Sequence, residues 1–207
     1  MALGWRYPSA KIRNLAAVLL AVAIGNPTPV TAAVDEDVVL VFPQDFSATW
    51  FAHTYGAGKL DGRIHRGEDL HAPKGAAVYA AADGVIVRMS KGPRSGYYLV
   101  VQHAGDWQTW YMHLNNDTPG TDNGRGGEAG AFAAGLSVGS FVVAGQLIGF
   151  VGDSGNAEGT ESHTHFELHH GGRTVNPYPY LVTARGVAER LALQAAVQNY
   201  LEQSGEV

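Results

Sequence analysis

Between Ser162 and His169 the chain alternates with a period of two. Read as a β-strand, this stretch sets His163, His165, Glu167 and His169 on one face and Thr164, Phe166 and Leu168 on the other. Phe166 and Leu168 demand burial, while the imidazoles and the carboxylate form a polar face able to carry chemistry. The segment Trp107 to Leu114 reads the same way, with Thr109, Tyr111 and His113 on one face and Trp110, Met112 and Leu114 supplying an apolar one. Two half-buried strands, each presenting an imidazole, place strong demands on the surrounding fold.

The rest of the chain punctuates itself as β structure from about Val38. Three hairpins are expected. Ala77 to Ala82 and Gly84 to Met89 flank an Asp83-Gly84 turn, and Tyr97 to His103 and Trp107 to Leu114 flank Ala104-Gly-Asp. Phe141 to Val143 and Leu147 to Val151 flank Ala144-Gly-Gln146. No convincing helix separates these strands, which favours antiparallel pairing over βαβ units. Asn115 to Ser137 is polar and glycine-rich, and long for a connection, which suggests a functional rim or a mobile segment. Thr183 to Gln203 is the one long helical stretch, with Ala184, Val187, Leu191 and Ala195 on an apolar stripe that fades where Gln194 and Gln198 share its face. A length of 207 residues suits one substantial core, and 27 glycines suit a turn-rich β protein.

Histidines fall in three clusters: His65-Arg-Gly-Glu-Asp69, Tyr111-Met-His113-Leu and Ser162-His163-Thr-His165-Phe-Glu. A lone histidine on a strand is more often a packed residue than a ligand, but three clusters in compatible geometry supply three candidate zinc ligands and two spare imidazoles. A catalytic zinc takes three protein ligands and leaves a position for water. The chain has no cysteine, which excludes a thiolate metal site, a disulfide framework and a cysteine nucleophile. A His-Glu-x-x-His helix is also absent. Gly152-Asp-Ser-Gly155 is read as turn chemistry rather than a serine nucleophile.

These motifs resemble those of the lysostaphin-type, LytM-like zinc metallopeptidases, the murein endopeptidases. Asp69-Leu-His-Ala-Pro-Lys-Gly75, Ala82-Asp-Gly-Val85, Val142-Val-Ala-Gly-Gln-Leu-Ile-Gly149 and Val151-Gly-Asp-Ser-Gly155 add to the resemblance, which covers roughly Phe42 to Leu181. The resemblance implies a mainly β fold: a single compact antiparallel β-sheet domain with a metal cleft between loops, followed here by the C-terminal helix. It implies His65, Asp69 and His165 as ligands of one zinc per chain, and His113 and His163 as catalytic histidines. Tyr55 is a candidate substrate contact, and Glu167 could orient a ligand imidazole. Glu68 departs from the family's usual apolar residue and His71 lies close by, so a second metal contact at this point is conceivable. The implied activity is hydrolysis of peptide bonds in peptidoglycan stems or cross-bridges through a zinc-activated water. The alternative is a non-catalytic cell-wall binding or amidase-activating module, as some members of the family are. The Asn115 to Ser137 loop and the stretch Gly56 to Gly62 are expected to form the cleft rims.

The N-terminus reads as an export signal over residues 1–33. Arg6, Lys11 and Arg13 precede the apolar run Leu15 to Ile24, and Val30-Thr-Ala-Ala33 follows the helix-breaking Pro27 and Pro29. The metallopeptidase domain is expected over 34–182 and a helical tail over 183–207. The apolar run is short for a membrane span, so stable insertion is not expected after cleavage, although an uncleaved anchor is the alternative. Removal of the signal leaves 11 cationic side chains against 19 acidic ones, which argues against a nucleic-acid partner. The expected state is an extracytoplasmic monomer acting on the cell envelope. Mass spectrometry of the exported protein should find a new N-terminus at Ala33 or Val34; an intact Met1 on membrane-bound protein would mean that the segment serves as an anchor.

Overall fold

Antiparallel pairing dominates the computed structural model, which describes residues 38–59 and 62–204. The export signal read from the sequence lies outside these residues. In chain order the elements are β1 (Glu68–His71), β2 (Ala77–Tyr79), β3 (Gly84–Gly92), β4 (Gly96–Gln102), β5 (Trp107–Leu114) and α1 (Gly127–Ala131). They continue with β6 (Phe141–Val142), β7 (Leu147–Phe150), β8 (His163–His170), β9 (Arg173–Val175) and α2 (Tyr178–Ser204). The main sheet runs β1-β8-β5-β4-β3-β6, with β9 also pairing β8; β2 and β7 form a second, two-stranded sheet. The expected mainly β fold with a C-terminal helix is what the chain adopts.

Only one of the three expected hairpins forms as a pair. β4 and β5 are antiparallel neighbours around the Ala104 turn. The turn at Asp83-Gly84 instead passes the chain from one sheet to the other: β2 pairs with β7, while β3 pairs with β4 and β6. The Ala144 turn likewise separates β6 from β7 rather than joining them. At the second site Gly145 turns the chain with φ of 80°, whereas Asp83 lies in a bend and Gly84 already opens β3; Asp83 Oδ1 accepts the Ala144 N–H at 2.7 Å. Local turn residues fix where the chain bends; which strands then pair depends on apolar faces distant in sequence.

The core lies on one face of the main sheet, where Leu70, Ile86, Leu99, Tyr111, Phe166 and Leu168 are fully shielded from solvent. Tyr111 and Phe166 meet edge to face with ring centroids 5.4 Å apart, and the Tyr111 hydroxyl accepts the Ala81 N–H at 2.8 Å. Loop 115–137 is anchored rather than a loose strap. Ala131 and Phe132 enter the core, Asn115, Asn116 and Asp117 are buried, and α1 forms within it. Lys74 Nζ ties this loop down, reaching Asp117, Asp122 and Asp153 at 2.8, 2.8 and 2.9 Å.

Helix α2 extends the expected helix by about a turn at its start. Only its beginning is packed: Leu181 and Ala184 are buried, whereas Val187, Leu191, Leu193 and Val197 are exposed. Among the described residues no helix is long and apolar enough to cross a membrane. The expected energetic contrast along α2 is steep. Leu181→Ala should lower unfolding free energy by about 2–5 kcal/mol, as filled core positions do. Leu191→Ala, at a site 60% exposed, should change it by roughly 0.5 kcal/mol or less. Urea titrations of both variants check the difference.

Candidate metal centre

The central element is β8, held between β1 and β5. Its pairing with β1 sets Asp69 opposite His165 and His71 opposite His163. Directly opposed residues in an antiparallel ladder project to the same face, so these four side chains share the face away from the core. His65 comes from the loop before β1. Gly67, between them, passes so close to β8 that an added Cβ would overlap the Phe166 carbonyl oxygen and press against the His165 ring. His65 Nε2, Asp69 Oδ1 and His165 Nδ1 thereby converge. The separations are 3.1 Å from His65 to Asp69, 2.8 Å from His165 to Asp69 and 2.9 Å between the imidazole nitrogens.

The outer hydrogen bonds identify what faces inward. His65 Nδ1 lies 3.2 Å from the Thr54 carbonyl oxygen, which can only accept, so Nδ1 carries the proton and Nε2 a lone pair. His165 Nε2 lies 3.1 Å from Glu167 Oε1, so its proton is outward and Nδ1 offers a lone pair. Two imidazole lone pairs and a carboxylate oxygen within 3.1 Å repel unless positive charge lies between them, either an extra proton or a metal cation. The donor set of two imidazoles and one carboxylate, each imidazole oriented by an acceptor behind it, suits zinc. Burial pushes the Asp69 carboxyl up, but hydrogen bonds to His165 and His65 outweigh it and hold Asp69 well below the usual carboxylate range. Burial works against charge on His165 too, yet Asp69 and Glu167 prevail and raise it. Glu167 is itself held down at about 2: burial opposes this, and hydrogen bonds to His165 and His169 overcome it.

His113 reaches this centre by an unexpected route. Pairing sets Tyr111 opposite Phe166 on the core face and Met112 opposite His165 on the cleft face. The polar face assigned to β5 from the sequence is therefore corrected: Thr109 and Tyr111 are fully buried, and Trp110 and Met112 face outward with the β8 histidines. Strict alternation would send His113 into the core. Instead its backbone is left-handed, with φ of 60°, and its N–H is donated to the Ser95 carbonyl at 2.8 Å. This local turn swings the ring to the cleft, 5.2 Å from the His163 ring and 6.0 Å from that of His165.

Both remaining imidazoles are aligned by main-chain carbonyls. His113 Nδ1 donates to Ser154 O at 2.9 Å, and His163 Nδ1 donates to Glu161 O at 2.8 Å. Each Nε2 is thus left as a lone pair; that of His163 lies 3.8 Å from Asp69 Oδ1. Burial pushes the His113 imidazole down to about 4 despite the opposing Ser154 carbonyl, so the ring is neutral at neutral pH.

Glu68 and His71 do not extend the cluster. Glu68 lies opposite Phe166 and faces away from the cleft, fully buried. Its carboxyl accepts the Thr54 N–H and hydroxyl at 2.8 and 2.9 Å and the Tyr55 N–H at 3.2 Å. Glu68 thus holds the loop whose Thr54 carbonyl orients His65, a role its sequence position does not disclose. His71 stacks on Trp50 with ring centroids 4.0 Å apart. A cleft of about 1020 Å³ opens above the centre and is lined by Tyr55, Lys59, Gly62, His65, Met112, His113, His165 and Glu167 among others. Tyr55 stands in its wall and bonds the Thr174 carbonyl through its hydroxyl at 3.2 Å. From the Gly56 to Gly62 stretch expected to form a rim, Lys59 and Gly62 line the cleft. Loop 115–137 contributes none of the described lining residues; the β3–β4 turn, Gly92 to Ser95, stands there instead.

Sheet, cleft and converging donor atoms together make this domain similar to known metallopeptidases. Residues 63–125 match Peptidase family M23, a stretch that holds His65, Asp69 and His113. The DD-carboxypeptidase/endopeptidase Mpg of Neisseria meningitidis is 37% identical over 117 residues, which is 56% of this chain and 22% of that protein. This chain therefore spans about a fifth of the length of such curated relatives. Among solved structures, a zinc-containing peptidase from Vibrio cholerae superposes with a TM-score of 0.54 at 27% identity, over 67% of this chain and 39% of that one. The catalytic domain of lysostaphin from Staphylococcus simulans gives 0.52 at 26% identity, over 66% of this chain and 94% of that one. The resemblance to lysostaphin-type, LytM-like metallopeptidases holds in both sequence and fold.

The Glu68 network leads to a stability prediction. Glu68→Ala strands three donors around a buried gap and should cost about 3 kcal/mol. Glu68→Gln retains an amide oxygen as an acceptor and should cost less. Chemical denaturation of both variants, each with metal chelated, tests the ordering.

Proposed function

We propose that this protein is a zinc-dependent endopeptidase that hydrolyses peptide bonds in peptidoglycan stems or cross-bridges outside the cytoplasm. The observation that carries this reading is the convergence of His65 Nε2, Asp69 Oδ1 and His165 Nδ1 beside two further imidazoles, each with its proton committed elsewhere. In this reading His65, Asp69 and His165 hold one zinc, residues 34–182 form the catalytic unit, and the chain acts as a monomer after loss of its signal. Zinc bound there supplies Lewis acidity and lowers the pKa of water towards about 7. His113 Nε2 and His163 Nε2 are the atoms that take up the proton of the attacking water and return one to the departing amine. The backbone carbonyls behind them fix both rings in the tautomer this needs. Glu167 keeps the His165 proton on the outer nitrogen, and Tyr55 forms part of the wall against which the peptide lies. The Neisseria relative named as a DD-carboxypeptidase/endopeptidase supports this reaction class. An amidase-activating role receives no support from a site in which all five positions are filled and aligned.

Digestion of purified peptidoglycan by the zinc-loaded protein tests the reading. The fragments should carry new amino-acid amines and carboxylates, with glycan strands intact. Release of whole stem peptides from the sugar would mean amidase chemistry instead. His113→Ala should retain about one zinc per chain while losing roughly 10²-fold or more in rate. Asp69→Ala and His165→Ala should lose the metal itself.

A further inference from the structure

The wall of the cleft differs in charge from the chain as a whole. The full sequence has a formal net charge of −5, yet Lys59, Arg63, Arg66 and Arg94 all line the cleft. Glu167 is the one carboxylate among the described lining residues, and it is committed to His165 and His169 at 3.1 and 2.6 Å. Lys59, Arg63 and Arg66 enter from the segment before β1. Arg94 stands in the β3–β4 turn, and β8 and β5 lie between the two positions in the sheet. The positive groups therefore flank the centre on both sides instead of forming one patch. Arg66 and Arg94 are exposed, and neither forms an ion pair with a described carboxylate. Arg66 directly follows His65, and the residue after Arg94, Ser95, accepts the His113 N–H through its carbonyl at 2.8 Å.

We propose that this cleft selects peptides bearing free carboxylates on both sides of the cleaved bond, with Arg66 and Arg94 as opposed clamps. The inference rests on the endopeptidase reading and adds a substrate class to it: an anionic peptide rather than a neutral one. A guanidinium offers paired N–H donors that match the two oxygens of a carboxylate, so it recognises shape as well as charge. A cleft lined by one sign of charge also concentrates ligands of the opposite sign, an effect that salt weakens. Acidic stem peptides present such carboxylates, and amidation of the same peptides removes the charge with almost no change in size.

The test compares a synthetic cross-linked stem peptide with its amidated twin, using the zinc-loaded full-length protein. The carboxylate form should be cleaved with a kcat/KM at least tenfold higher, and the advantage should shrink as salt is raised. Arg66→Gln and Arg94→Gln should each raise KM for the carboxylate peptide, leave kcat close to unchanged and narrow the gap between the twins. A zinc atom could itself attract carboxylates, and retention of the full preference in both arginine variants would overturn the clamp in favour of that source. Equal cleavage of the twins by the unaltered protein would also overturn it. Binding of both peptides to zinc-loaded His113→Ala, measured by calorimetry, separates recognition from catalysis. Tighter binding of the carboxylate form that is lost on adding Arg66→Gln or Arg94→Gln supports the clamp even if no peptide is cut, a failure that would fall on the endopeptidase reading alone. Equal affinities would sink the clamp whatever the cleavage result.

Discussion

The pairing of β8 with β1 on one side and β5 on the other organises both faces of the molecule. On the core side it brings Leu70, Tyr111, Phe166 and Leu168 into one apolar layer. On the opposite side the same register sets Asp69 against His165 and His71 against His163. A slip by one residue would exchange these faces, burying the imidazoles and exposing the aromatics. The apolar layer therefore enforces the register, and the register places the polar atoms. Close crowding of three lone-pair donors is unfavourable by itself, and the burial beneath them is what keeps them together.

The sequence discloses β8 well because its alternation runs without interruption and its apolar residues are large. Asp69 and His65 are equally readable through their spacing and the motif around them. The face of β5 is misread for a physical reason: the chain turns left-handed at His113, and no residue type in Tyr111-Met-His113-Leu signals that turn. A histidine can adopt positive φ, but at a cost that glycine or asparagine would signal more openly. The hairpins fail in a related way. Asp83-Gly84 and Ala144-Gly145 specify bends, whereas the partners of β2 and β6 are set by contacts far along the chain.

The groups that orient the imidazoles are mostly main-chain carbonyls, at Thr54, Ser154 and Glu161. Every residue carries such a carbonyl, so composition and spacing cannot select these three. Glu68 shows the converse difficulty. Its carboxyl is distinctive in the sequence and sits one position from Asp69, which invites a metal role. The pleat sends it to the other side, where it organises a loop. Lys74 with Asp117, Asp122 and Asp153 acts likewise on the far loop: one ammonium joins two buried carboxylates and an exposed one and fixes a long connection in place.

The seat of His113 has a further mechanical consequence. Its N–H is held by the Ser95 carbonyl and its ring by the Ser154 carbonyl; Ser154 Oγ accepts the Tyr97 N–H at 2.9 Å, and the Arg94 carbonyl accepts the Asn156 N–H at 3.0 Å. Gly96 is packed so tightly on Ser154 that no side chain could stand there. The tip of the β3–β4 hairpin, the turn containing Ser154 and the end of β5 are thus riveted into one block. The hairpin cannot swing open like a flap without dragging the imidazole with it. Entry of a peptide between the walls must therefore be accommodated elsewhere, on the side of the glycine-bearing segment before β1, where such cross-links to His113 are absent among the described residues.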